Sequence, residues 1–170
     1  MKILYSLVLG LIPFFCFSQH QWLDFSKDSF HLKYPENWFP DTSGKMGTVL
    51  FVFSPLENEE DKFSENINVI IQELSGREID LAAYKKITET QIKEYATDPE
   101  LYESTIVSSG KGEYYKVSYA MTQGKLRLKI ISYCLIKNQK GYLITFGSEV
   151  AKYEQYKTIS EEMLSSFSVQ

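Results

Sequence analysis

Apolar residues run almost unbroken from Ile3 to Phe17, and no later block of the chain is as long. Lys2 precedes that block, and Cys16-Phe17-Ser18 closes it ahead of Gln19. A positive start, an apolar stretch and small residues three and one places before a break are the layout of a secretory signal peptide. The block is also shorter than the roughly 20 residues a helix needs to cross a bilayer. The pattern predicts cleavage after Ser18 and an exported protein, periplasmic or extracellular, with residues 19–170 forming one domain. A lipid anchor at Cys16 is disfavoured. Phe14 and Phe15 stand where small residues belong, and Pro13 takes the place of the usual leucine.

Beyond Gln19 the pattern alternates. Trp22 to Phe25 is a short strand candidate, and Phe30, Leu32 and Tyr34 alternate with His31 and Lys33 as a half-buried strand does. Pro35 ends that strand, and Trp38 falls on the turn after it. Val49 to Phe53 and Ile67 to Leu74 are continuous apolar runs, as expected of strands covered on both faces. The period then changes to three-four spacing at Leu81, Tyr84, Thr88, Gln91, Ile92 and Tyr95, with Asp80 as candidate N-cap. That helix must end by Asp98-Pro99, because the residue before a proline avoids helical geometry.

Four more strands are predicted at about 102–108, 113–121, 125–136 and 141–148, joined by short glycine-bearing connectors into an antiparallel meander. A closing helix over about 150–166 carries Tyr153, Tyr156, Ile159, Met163, Leu164 and Phe167 on one stripe, with Ser148 placed to cap it. Strands apolar on both faces need cover on both sides. The predicted fold is therefore α+β: an antiparallel β-sheet flanked by helices on both faces, an α/β/α sandwich.

Charge and chemistry narrow the picture little. Loss of residues 1–18 removes one of the 18 Lys+Arg and none of the 22 Asp+Glu, so the mature chain carries a net charge of −5. That mixed, mildly acidic balance offers no basic footprint for nucleic acid. Cys134 is then the one cysteine left, so no internal disulfide forms. It shares strand parity with Leu126, Leu128 and Ile130 and reads as a core thiol. His20 and His31 have no metal-ligand spacing and read as solvated. Glu57, Glu59, Glu60, Asp61 and Glu65 form an acidic loop that lacks the spacing and glycine of a calcium loop, and it reads as solvated too. Neither a Gly-x-Ser-x-Gly turn nor a phosphate-binding glycine loop is present. The expectation is no catalytic residue, no metal site and no cofactor. Two candidate contact surfaces remain. Lys125, Arg127 and Lys129 line one strand face opposite Leu126 and Leu128. Tyr34 and Trp38 stand at a turn, where Trp38 either anchors a partner, since Tyr and Trp dominate interface hot spots, or folds back to plug the end of the sheet.

Five segments, in order, resemble the PsbP family: Phe30-His31-Leu32-Lys33-Tyr34-Pro35-Glu36-Asn37-Trp38, Phe51 to Pro55, Glu65-Asn66-Ile67-Asn68-Val69, Lys111-Gly112-Glu113-Tyr114-Tyr115 and Ser166-Phe167-Ser168-Val169. The match runs in register from about Trp22 to Val169. The resemblance implies the PsbP-like fold, shared with Mog-type Ran-binding and DcrB-like proteins, and a role in binding other proteins. The best-known member sits on the lumenal face of photosystem II. The extended N-terminal arm of that member has no counterpart between the signal and the first strand here, which argues against a photosystem role. The expected function is that of an exported, non-catalytic interaction or assembly module of the cell envelope, bound to another envelope or secreted protein. The alternative is a small-ligand binder or an unrecognised enzyme with a pocket between sheet and helix.

Overall fold

The structure, a computed structural model, describes residues 21–27, 29–110 and 112–170. The predicted signal peptide, Cys16 within it, and His20 lie outside them. The elements are β1 (Trp22–Lys27), β2 (Phe30–Pro35), β3 (Phe39–Asp41), β4 (Leu50–Phe53), β5 (Asn66–Glu73), α1 (Leu81–Tyr95), β6 (Glu100–Ser109), β7 (Gly112–Gln123), β8 (Leu126–Lys137), β9 (Lys140–Glu149), α2 (Tyr153–Ser166) and β10 (Ser168–Val169).

All pairings are antiparallel, but they make two sheets where the sequence predicts one. β1, β2 and β10 form a small sheet, and the large sheet runs β3-β4-β5-β9-β8-β7-β6. β6 to β9 are the expected meander. The β8–β9 turn places Asn138 and Gln139 at positive φ, 52° and 58°, as a two-residue hairpin with the right-handed strand twist requires. β3 and β10 escape the sequence reading because two or three residues show no period. They form because neighbours already in place offer ladders, Phe39–Asp41 to β4 and Ser168–Val169 to β2.

Two apolar clusters organise the interior. The larger joins Phe30 and Leu32 of β2, Leu50 and Val52 of β4, Ile131 of β8, Ile144 and Phe146 of β9, and Met163, Leu164 and Phe167. The smaller joins Ile92 of α1 to Tyr115, Val117 and Cys134. Ile131 and Cys134 have opposite parity on β8, so their side chains leave opposite faces of the sheet.

The two helices are seated differently. α2 buries Tyr153, Tyr156, Ser160, Met163 and Leu164, whereas α1 buries only Ile92. Asp80 caps α1 as predicted, its Oδ1 accepting from the Ala83 N–H at 2.8 Å. Asp80→Ala should cost about 0.5–2 kcal/mol, measurable in a urea melt. Ser148 does not cap α2. β9 stays paired with β8 through Glu149, and a 3-10 turn over Val150–Lys152 precedes the helix. Ser148 Oγ is buried with no hydrogen-bond partner among the described residues.

Candidate functional site

Tyr34 and Trp38 do not form an exposed anchor. Trp38 is 3% exposed, and its ring meets Tyr156 of α2 edge-on with centroids 6.2 Å apart. The turn after Pro35 folds this aromatic back into the larger cluster, where it closes the core.

The basic face is also rearranged. β8 begins at Leu126, so Lys125 sits in the β7–β8 hairpin turn, exposed and with no ion pair among the described residues. Arg127 holds the turn between α1 and β6. Its Nη1 donates to the Asp98 carbonyl and approaches Asp98 Oδ2 at 3.2 Å, while Nη2 lies 3.3 Å from Glu100 Oε2. Asp98 sits at φ 53°, a left-handed conformation that Asp tolerates better than most residues. Lys129 Nζ stands 3.9 Å from the Tyr153 ring centroid and 4.9 Å from that of Tyr102. Tyr102 lies at the bulge of β6, next to β7 on one side, and is 47% exposed. Sequence reading misses Tyr102, because only the bulge aims its ring at Lys129.

The acidic loop is not the solvated loop its composition predicts. Glu59 and Glu60 are exposed, but Asp61 and Glu65 are buried. Asp61 Oδ2 accepts from the Glu57 N–H at 3.1 Å and lies 2.9 Å from Lys152 Nζ, and Oδ1 accepts from the Phe63 N–H at 3.1 Å. Those backbone donors and the Lys152 ammonium hold the Asp61 carboxyl down at about 2. Glu57 Oε1 accepts from Tyr156 Oη and from Gln155 Nε2, each at 3.0 Å. Burial raises the Glu65 carboxyl instead. These groups tie the loop to the start of α2. Lys152 is some ninety residues from the loop, and nothing local in the sequence signals their meeting.

His31 Nε2 lies 2.6 Å from Asp24 Oδ1 on the neighbouring strand. Burial pushes the Cys134 thiol up to about 12, far from the thiolate a nucleophile needs. Among the described residues no group of three His, Cys, Asp or Glu side chains is arranged to hold a metal ion. None of the described helices is long and apolar enough to cross a membrane.

Among the cavities of the described residues, two lie beside the helices. One of about 400 Å³ is lined by Tyr114, Tyr133, Leu135, Leu164 and Phe167 on the α2 side. Another, of about 440 Å³, lies between α1 and the sheet and includes Tyr84, Tyr115, Tyr119, Ser132 and Thr145.

No curated protein matches the chain in sequence. Solved structures match in fold. CyanoP, the cyanobacterial PsbP of Synechocystis sp. PCC 6803, is 18% identical with a TM-score of 0.64, covering 95% of this chain and 99% of its own. LpqN of Mycobacterium tuberculosis, involved in cell envelope biogenesis, is 9% identical with a TM-score of 0.65, covering 89% and 92%. PA94 of Pseudomonas aeruginosa is 8% identical with a TM-score of 0.58, covering 82% and 91%. At these identities the likeness is one of fold. The sequence profile of the PsbP family, however, matches residues 21–169, so the chain belongs to the PsbP family.

Proposed function

We propose that the mature chain is an exported, non-catalytic interaction domain of the cell envelope, a single α/β/α unit with a helix on each face of its large sheet. The opposite parity of the two apolar clusters supports that layering. Partner binding is assigned to the end of the sheet where Arg127, Lys129 and Tyr102 meet, with Lys125 in the adjoining β7–β8 turn. The observation that carries this reading is Tyr102, an aromatic ring left 47% exposed on the edge strand with a lysine ammonium over it. Tyr and Arg are the residue types that anchor interfaces. Free Lys125 beside them favours a partner that presents carboxylates. The similar LpqN works in envelope biogenesis, which agrees with an exported role here.

The test places a photo-crosslinking p-benzoylphenylalanine at position 102 in cells, with position 36, at the exposed Glu36 turn, as the control. One discrete adduct with an envelope protein is expected at 102 and none at 36. It should fade in the K125Q/R127Q/K129Q variant and in high salt, because exposed charges are screened over about 8–10 Å at physiological ionic strength. Absence of an adduct at 102, or equal adducts at both positions, defeats the reading.

A further inference from the structure

We propose that the cleft between α1 and the large sheet is a binding site for a neutral, planar aromatic small molecule that carries a hydrogen-bonding group. This proposal does not depend on the partner surface proposed above, although Ala96 at one end of the cleft is two residues from the Asp98 that Arg127 holds.

The cleft owes its existence to the inner face of α1. A helix laid on a sheet normally fills the gap with large apolar side chains. Here Thr88 and Gln91 occupy lining positions beside Tyr84, Ile92 and Tyr95. They leave a cavity of about 440 Å³, within the range of about 300–1,000 Å³ typical of small-molecule sites. Only Ile92 of the helix is buried. Edge contacts support the rest, including Tyr84 Oη donating to Gln72 Oε1 at 3.2 Å and Lys85 Nζ donating to the Ser104 carbonyl at 2.9 Å.

The lining selects the occupant. No lining residue carries a charge, so an ionic ligand would lose its hydration without a counter-charge to replace it. Three phenol rings, Tyr84, Tyr115 and Tyr119, and the thioether of Met121 line the cleft, and Tyr95, 79% exposed, stands at its rim. Aromatic faces and methionine sulfur both favour a planar π-system. On the sheet floor Ser132 Oγ and Thr145 Oγ1 lie 2.9 Å apart. Two hydroxyls joined by one hydrogen bond retain a second proton, and their lone pairs remain available. A polar pair on an otherwise apolar floor is the kind of convergent group that orients a ligand.

N-phenyl-1-naphthylamine is a suitable probe: neutral, aromatic and bearing one N–H. Titration of the purified protein should give saturable fluorescence with one site. Its anionic analogue 8-anilinonaphthalene-1-sulfonate should bind roughly tenfold more weakly, about 1.4 kcal/mol by the affinity relation. Ala96 lines the mouth of the cleft in extended backbone that any residue adopts, so Ala96→Trp should reduce binding by a similar factor. The S132A/T145V variant should weaken it about fivefold, the equivalent of one lost hydrogen bond. Tyr114→Ala, in the cavity on the α2 side, should leave it unchanged. Equal binding of the two probes, full binding by Ala96→Trp, or loss of binding in Tyr114→Ala overturns the proposal. Should Ala96→Trp fail to fold, amide shift mapping on the wild-type protein decides. Perturbations centred on α1, Tyr119 and Thr145 support the site, and perturbations centred elsewhere refute it.

Discussion

Phe167→Ala is expected to remove about 3–5 kcal/mol of stability, the range for deleting a buried aromatic side chain. Phe167 is 4% exposed and follows directly on α2. Its ring centroid lies 5.7 Å from that of Phe30, which in turn stacks on Phe25 at 5.8 Å. The two residues after it pair with His31 and Phe30 of β2. One side chain therefore joins α2, the small sheet and the larger apolar cluster. A domain of this size has only about 5–15 kcal/mol in total, so the variant should approach the unfolding threshold. Urea denaturation measures it directly. A loss well under about 1 kcal/mol would show that the end of α2 is not seated against β2.

Asp61→Asn is expected to destabilise the protein by about 2–3 kcal/mol at neutral pH, while Glu65→Gln should change stability by less than about 1 kcal/mol. Both carboxyls are buried in the same loop, yet they differ in what surrounds the charge. Asp61 is held by two backbone N–H groups and by Lys152, so its folded pKa, about 2, lies below its ordinary 3.8. Its contribution is therefore fully present above about pH 4 and is lost as the pH falls toward 2. Glu65 is raised by burial above its ordinary 4.5. Its charged form opposes folding, and that opposition is relieved as the pH drops through its folded pKa. Removing the Asp61 charge also leaves Lys152 with Glu57 at 3.6 Å as its remaining close counter-charge. Chemical denaturation at pH 7 and pH 3 separates the two. The gap between wild type and Asp61→Asn should narrow at pH 3. If instead Glu65→Gln proves the more damaging change at pH 7, the electrostatic assignment of the loop is wrong.

The cases of Trp38, Arg127 and Lys129 show why charged and aromatic side chains are less legible in the sequence than strands. Exposure of a side chain depends on what folds over it. Trp38 stands in a polar turn, and whether that turn points outward or back under Tyr156 is settled by α2, more than a hundred residues later. Arg127 alternates correctly with Leu126 and Leu128. Its guanidinium is nevertheless occupied because the residue before Pro99 turns into a left-handed conformation and presents its carbonyl. Lys129 follows the same alternation, and what it meets is a ring displaced by a bulge in a strand two places away across the sheet.

The apolar pattern by itself determined both helices and every strand but β3 and β10, because burial of one face repeats every two residues in a strand and every three or four in a helix, and an unbroken apolar run marks a strand covered on both faces. It located α1 with its Asp80 cap, the β6 to β9 meander and the apolar stripe of α2. The same alternation placed Cys134 in the interior. Tertiary structure decided everything that required a second segment to arrive. It split the sheet in two: β2 pairs with β1 and with β10, which follows α2, and with no strand of the large sheet. It turned an acidic loop into a buried ion-pair cluster by supplying Lys152. It also left a cleft between α1 and the sheet, with Thr88 and the exposed Gln91 on the helix side and Ser132 and Thr145 on the sheet side. Local sequence encodes how each segment prefers to bury itself. Which polar groups meet depends on long-range closure, and the function proposed here rests on those meetings.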